Sequence, residues 1–210
     1  MSDLPALVAA FTTLFVIIDP IGLAPIYLAL TQGMQPAQRR TIAIRSILIA
    51  TGLMLAFLLL GEALLGFVGI SMPAFRIAGG VLLFLTALEM LFQRRQARRE
   101  DNASEGAAEN TDDPSVFPLA LPLICGPGAI TTIILLTGQA ESTMDIAAIG
   151  AVCLAVLLCV FTSFMLATPM ERVLGKTGLN IVTRVLGMLL AALSIQFILD
   201  GIAQSFGLGV

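Results

Sequence analysis

Two stretches of the chain combine residues that break a helix with residues that can hold a ligand. The first is Asp19-Pro20-Ile21-Gly22-Leu23-Ala24-Pro25. The second is Pro122-Leu123-Ile124-Cys125-Gly126-Pro127-Gly128-Ala129-Ile130-Thr131-Thr132. Each sets Pro and Gly in the middle of an apolar run. Proline removes a backbone donor and clashes with the preceding turn, yet it suits the first position of a helix. Asp19 before Pro20 therefore reads as a helix cap followed by a helix start. Gly126 before Pro127 reads the same way, with a weaker cap. Each run is expected to split into two half-helices, the second starting near mid-membrane. Such a start leaves free N–H groups and a positive dipole end, which suits an anion or a carboxylate. The expected binding residues are Asp19, Pro20, Gly22 and Pro25 at one break and Gly126, Pro127, Gly128, Thr131 and Thr132 at the other. The competing reading is a pair of proline kinks tolerated by neighbouring helices.

Asp19 is the most informative single residue. A carboxylate at the bilayer centre costs about 2.5–3.5 kcal/mol on insertion scales. Three roles are open to it: a helix cap only, a carrier of a proton or cation, or a partner for an embedded Arg. Secondary candidates are Arg76 and Arg184, which open similar helices and can equally be interfacial anchors. Glu89 lies near one end of an apolar run and can snorkel. Gln196 can line a cavity or bridge helices.

The elements that must position these residues follow from composition. Of 210 residues 58% are hydrophobic and 12% charged, against about 25% charged in a soluble domain. Ten of the 25 charged residues fall within 93–113, which leaves the rest of the chain too apolar for a water-covered surface. The fold class is an all-α integral membrane protein. A span needs about 20 mostly apolar residues, and six are read, at 4–30, 42–68, 75–92, 116–137, 146–167 and 182–202. Residues 31–41, 69–73, 141–145 and 169–180 are the expected connections. Residues 1–92 form a first group of three helices and 116–210 a second. Residues 93–115 form a hydrophilic loop with the composition of a disordered linker.

Ten of the eleven Lys and Arg flank one side of these spans, Arg76 being the exception. By the positive-inside rule the loop 93–115 is cytoplasmic and both termini are outside. Ala147, Ala151 and Ala155 make a small-residue stripe, read as close helix packing.

The halves also resemble each other. Arg76-Ile-Ala-Gly79 matches Arg184-Val-Leu-Gly187 at a shift of 108, which pairs Thr86 with Ser194. At a shift of 107, Pro20 falls on Pro127. A repeat of three spans enters the membrane from opposite sides in its two copies, so inverted topology is expected, as in secondary transporters.

Absences narrow the chemistry. There is no His, so His-based catalysis and His-ligated metal sites are excluded. No HExxH or GxSxG motif occurs. Neither enzymatic activity, nor a metal site, nor a cofactor is expected. The net charge of −3 offers no footprint for nucleic acid. Cys125, Cys153 and Cys159 form no CxxC pair and read as buried apolar residues. The expected partners are the lipid bilayer and a small molecule or ion, and the chain is compatible with a homo-oligomer.

At Asp19-Pro20-Ile21-Gly22 with Pro25, and at Pro122-Leu123 with Gly126-Pro127-Gly128-Ala129-Ile130-Thr131, the sequence resembles the MarC (multiple antibiotic resistance) family of bacterial inner-membrane proteins. Leu23 stands where that family usually has Asn. The family is similar to the LysE-like transporter superfamily, which exports amino acids and metal ions. The resemblance implies a multi-pass protein of the inner membrane that transports or exports a small polar solute, with a small neutral amino acid as one candidate. A cation or metal-ion transporter and a non-transporting scaffold or regulator are the alternatives.

Overall fold

The computed structural model describes residues 4–95, 98–99 and 113–207. Among these, all regular structure is helical. The elements are α1 (Leu4–Ile18), α2 (Pro20–Leu30), α3 (Pro36–Val68), α4 (Met72–Leu91), α5 (Pro127–Thr137), α6 (Thr143–Met165) and α7 (Ala167–Ser205). Before α5, Ser115–Ile124 coils irregularly, because Phe117 and Leu121 (φ −126, ψ 128 at Leu121) are extended inside it. Each directly precedes a proline, which disfavours the helical region. The stretch 100–112, which holds most of the expected linker, lies outside the described residues, as do 96 and 97.

Five stretches are long and apolar enough to cross a membrane: α1 with α2 (Leu4–Leu30), α3, α4, α6 and Thr177–Ser205 within α7. Ser115–Ile124 and α5, bent by 57° at their junction, make a sixth if taken together. Leu59, Phe67 and Leu158 are 69%, 91% and 64% exposed. A surface of that character is matched by hydrocarbon, not water.

Two expected connections are shorter than the sequence suggested. Pro36 opens α3, ahead of the apolar run, where its missing N–H costs nothing. The stretch 169–180 is helical and is interrupted only at Gly175 (φ 59, ψ 176). Pro169 sits in the first turn of α7, where proline is tolerated. The alanine stripe also lies elsewhere than expected. Ala147, Ala151 and Ala155 are on an exposed face of α6.

The two halves interlock. α1 and α2 pack on α6 and α7, α5 packs on α3 and α4, and Ser115–Ile124 packs on α3. The closest pairing is α4 against α7, and glycines make it so. A Cβ on Gly80 would lie 2.8 Å from Ser194 O and 3.1 Å from Ile198 N. A Cβ on Gly187 would lie 3.2 Å from Ala87 O and 3.4 Å from Leu91 N. These contacts run in opposite directions along the chain, so the helices are antiparallel. They are also reciprocal: one offset of 107 (187 minus 80) carries Gly80, Ala87 and Leu91 onto Gly187, Ser194 and Ile198. That is the offset relating Pro20 to Pro127, not the 108 suggested by the Arg76 and Arg184 motifs. Arg76 is accordingly buried and Arg184 exposed.

Candidate functional site

The first break is a single residue wide. α1 ends at Ile18, α2 starts at Pro20, and Asp19 between them is left-handed (φ 57, ψ 67). Aspartate is one of the few residues that visit this region readily. Its Oδ1 accepts from Gly22 N at 3.0 Å, as a cap does. Gly22 is required there, since a Cβ would stand 2.2 Å from Asp19 Oδ2. Asp19 N donates to Phe15 O (2.9 Å) and Leu23 N to Asp19 O (3.1 Å), so backbone bonds carry through the break. Ser163 of α6 donates to Pro20 O at 2.6 Å and pins the start of α2.

That geometry leaves acceptors behind. In an unbroken helix Ile18 O would receive Gly22 N, which here serves the Asp19 side chain. The missing donors come from the segment after α4. Arg99 reaches Ile18 O through Nη2 (3.0 Å) and Asp19 Oδ2 through Nη1 (3.1 Å). Arg95 donates to Ile17 O through Nη2 and to Met90 Sδ through Nη1 (2.9 Å). Asp19 and Arg99 form an ion pair with side chains 1% and 7% exposed. Of the roles open to Asp19, the cap and the Arg partner are both present. Burial pulls the Arg99 guanidinium below its usual range, and the Asp19 carboxylate opposes it. Arg95 is lowered to about 9, first by burial and then by Arg99 beside it.

The second break is built differently. α5 starts at Pro127 behind Gly126, whose backbone is extended (φ −72, ψ 166) and gives no side-chain cap. The N–H groups of Gly128 and Ala129 have no acceptor within the helix by position. They border a cavity of about 240 Å³, lined also by Ile17, Thr86, Glu89, Arg95, Arg98, Arg99, Pro122, Gly126 and Pro127. Arg98 pairs with Glu89 at 2.6 Å on its exposed rim. Three guanidiniums and a helix N-terminus face two carboxylates, Glu89 and Asp19. The cavity is therefore electropositive on balance.

The expected residues sort into three groups. Gly126, Pro127, Gly128 and Glu89 line the cavity, and Asp19, Pro20 and Gly22 form the adjoining break. Pro25 lies within α2, Thr132 bonds back to Gly128 O (2.8 Å), and the Thr131 methyl packs toward Gly79, so none of these lines the cavity. Gln196 bonds Asp200 (2.7 Å) on an exposed face. Arg76 is buried, with no hydrogen-bond partner for its Nε among the described residues. Arg95, Arg98 and Arg99 were read as charges that set orientation and not as part of the site. The available signal was the spacing of four between Arg95 and Arg99, which puts both on one face of any helical continuation.

Five apolar spans, a bent helix pair that makes a sixth if taken as one, and a charged interior site define a multi-pass integral membrane protein. The family described as MarC family integral membrane protein matches residues 4–206. A UPF0056 membrane protein of Aquifex aeolicus is 38% identical over 93% of this chain and 91% of its own length. A UPF0056 membrane protein of Methanocaldococcus jannaschii is 36% identical over 95% and 97%. The UPF0056 inner membrane protein YhgN of Escherichia coli K12 is 33% identical over 93% and 95%. The chain belongs to the MarC family. No solved structure matches it.

Proposed function

We propose that this protein is a secondary transporter of a small polar solute, with a small neutral amino acid as the first candidate, and not an enzyme. The observation that carries this reading is the cavity of about 240 Å³ at the start of α5. It has room for a small zwitterion. The Gly128 and Ala129 N–H groups and Arg95 suit a carboxylate, and Glu89 suits an ammonium. Asp19, at the neighbouring break, is the group for a coupling ion. The reading further takes the halves as inverted repeats broken near the bilayer midplane, and the reciprocal glycine contacts at an offset of 107 support it. It places the protein in the inner membrane with both termini outside and the 93–115 loop in the cytoplasm. A metal cargo has less support, because no group of three or more His, Cys, Asp or Glu that could hold a metal ion occurs among the described residues.

The test is uptake of labelled alanine, serine and glycine by proteoliposomes under an imposed proton or sodium gradient. Gradient-driven uptake that is lost in Asp19→Asn is expected. Movement of no small zwitterion under either gradient would leave the scaffold reading in its place.

A further inference from the structure

The end of α1 is a cage of acceptors filled by the chain's own cations. We infer that Asp19 Oδ2, Ile18 O and Ile17 O form a binding site for a monovalent metal ion, which Arg99 and Arg95 occupy as a tethered plug in the conformation described. This rests on the transporter reading and gives its driving ion a site.

Three observations carry it. First, the three oxygens are all acceptors, one carboxylate oxygen and the last two carbonyls of α1, at the negative end of that helix. Gly22 N, the natural donor to Ile18 O, is diverted to Asp19 Oδ1 at 3.0 Å. Second, each oxygen receives a guanidinium nitrogen, two of them from Arg99 at 3.1 and 3.0 Å and one from Arg95. A cation is therefore what the cage already holds. Third, the plug and the cage belong to different segments. The chain turns at Gln93 (φ 60) after α4, and both arginines follow that turn. The bonds that shape the break, Asp19 N to Phe15 O and Leu23 N to Asp19 O, involve neither of them.

Once the arginines leave, Asp19 at 1% exposure needs another counter-charge. A proton would neutralise the carboxylate and leave both carbonyls without a partner. A divalent ion wants more than one carboxylate and would add a second positive charge beside Arg98. A monovalent metal ion serves all three oxygens and leaves the cage neutral.

The experiment is thermal unfolding of the full chain in detergent, followed with a thiol-reactive dye that reports exposure of the buried Cys125 and Cys153. Chloride salts of sodium, lithium, potassium and N-methylglucamine are compared at constant ionic strength. The unsubstituted protein is expected to show no preference, since its cage is full. The double variant Arg95→Ala/Arg99→Ala is expected to gain about 5–10 °C in an alkali-metal salt at a hundred times the dissociation constant. Adding Asp19→Asn should abolish that gain, and Arg99→Lys, which keeps a tethered cation, should show none. A folded double variant without ion preference overturns the inference. So does a gain that survives Asp19→Asn, or one reproduced by lowering pH alone. If the double variant is not monodisperse, it is purified throughout in alkali-metal chloride, with N-methylglucamine chloride as the control that should not rescue it. Recovery in the alkali-metal salt alone supports the cage, and recovery in both or failure in every salt overturns it. Solute uptake by the unsubstituted protein in liposomes separates the two ideas. Uptake without an ion-specific shift rejects only the cage, and a shift without uptake rejects only the transporter.

Discussion

The two helix breaks differ in what fills them. At Asp19 the interruption is one residue, backbone bonds bridge it, and a buried ion pair satisfies its loose acceptors. At Gly126 the interruption follows an irregular run, the axis turns by 57°, and the helix that restarts there opens onto a cavity. One break collects acceptors and is closed by the chain; the other offers donors and borders open space. The lesson is that Asp-Pro and Gly-Pro, alike as helix starters, divide the work. A charged cap draws in a counter-charge, whereas a glycine cap leaves the first N–H groups of its helix without a side-chain acceptor.

The comparison can be broken by unfolding measurements in detergent. The largest effect is expected from Arg99→Ala or Asp19→Ala, each of which leaves a buried partner charge uncompensated, at about 3–5 kcal/mol. Gly22→Ala comes next. Its methyl would meet Asp19 Oδ2 at 2.2 Å, and moving the carboxylate off its cap should cost about 1–3 kcal/mol. Ser163→Ala removes the tie to Pro20 O and should cost about 1 kcal/mol. The smallest effect is expected at the other break. Pro127→Ala keeps the helix start and loses only preorganisation, about 0.4–1 kcal/mol. If Pro127→Ala destabilises as much as Arg99→Ala, the two breaks are structurally alike and the contrast fails. If Pro127→Ala instead leaves stability nearly intact but lowers solute affinity, the contrast sharpens.

What could be read from the sequence was local. Asp19-Pro20 specifies a cap and a helix start within four residues, and the structure has both. The cavity edge at Gly126, Pro127 and Gly128 was legible for the same reason. Arg99 was not, because its partner lies 80 positions away and a run of arginines after an apolar segment has a sufficient explanation in membrane orientation. Spacing alone does not say which face of α6 the chain covers, and the alanine stripe lies on an exposed one. The 169–180 stretch misled because a proline in the first turn of a helix looks, in sequence, like one that ends it. Matching Arg-x-x-Gly by type pointed to Gly79 and Gly187, whereas the glycines that touch the partner helix reciprocally are Gly80 and Gly187.

The interlocking of the halves bears on how the chain is made. Synthesis proceeds from the N-terminus, so α1 and α2 enter the bilayer before α6 and α7, their packing partners, exist. Asp19 must also wait for Arg99, which the ribosome adds 80 residues later. Until then a carboxylate in an apolar segment has only water, the insertion machinery or a proton to satisfy it. The first span thus depends on parts made after it: Arg99 for its buried carboxylate, and α6 and α7 for its packing. Expressed without the second half, residues 1–92 are expected to remain a substrate for quality-control proteolysis.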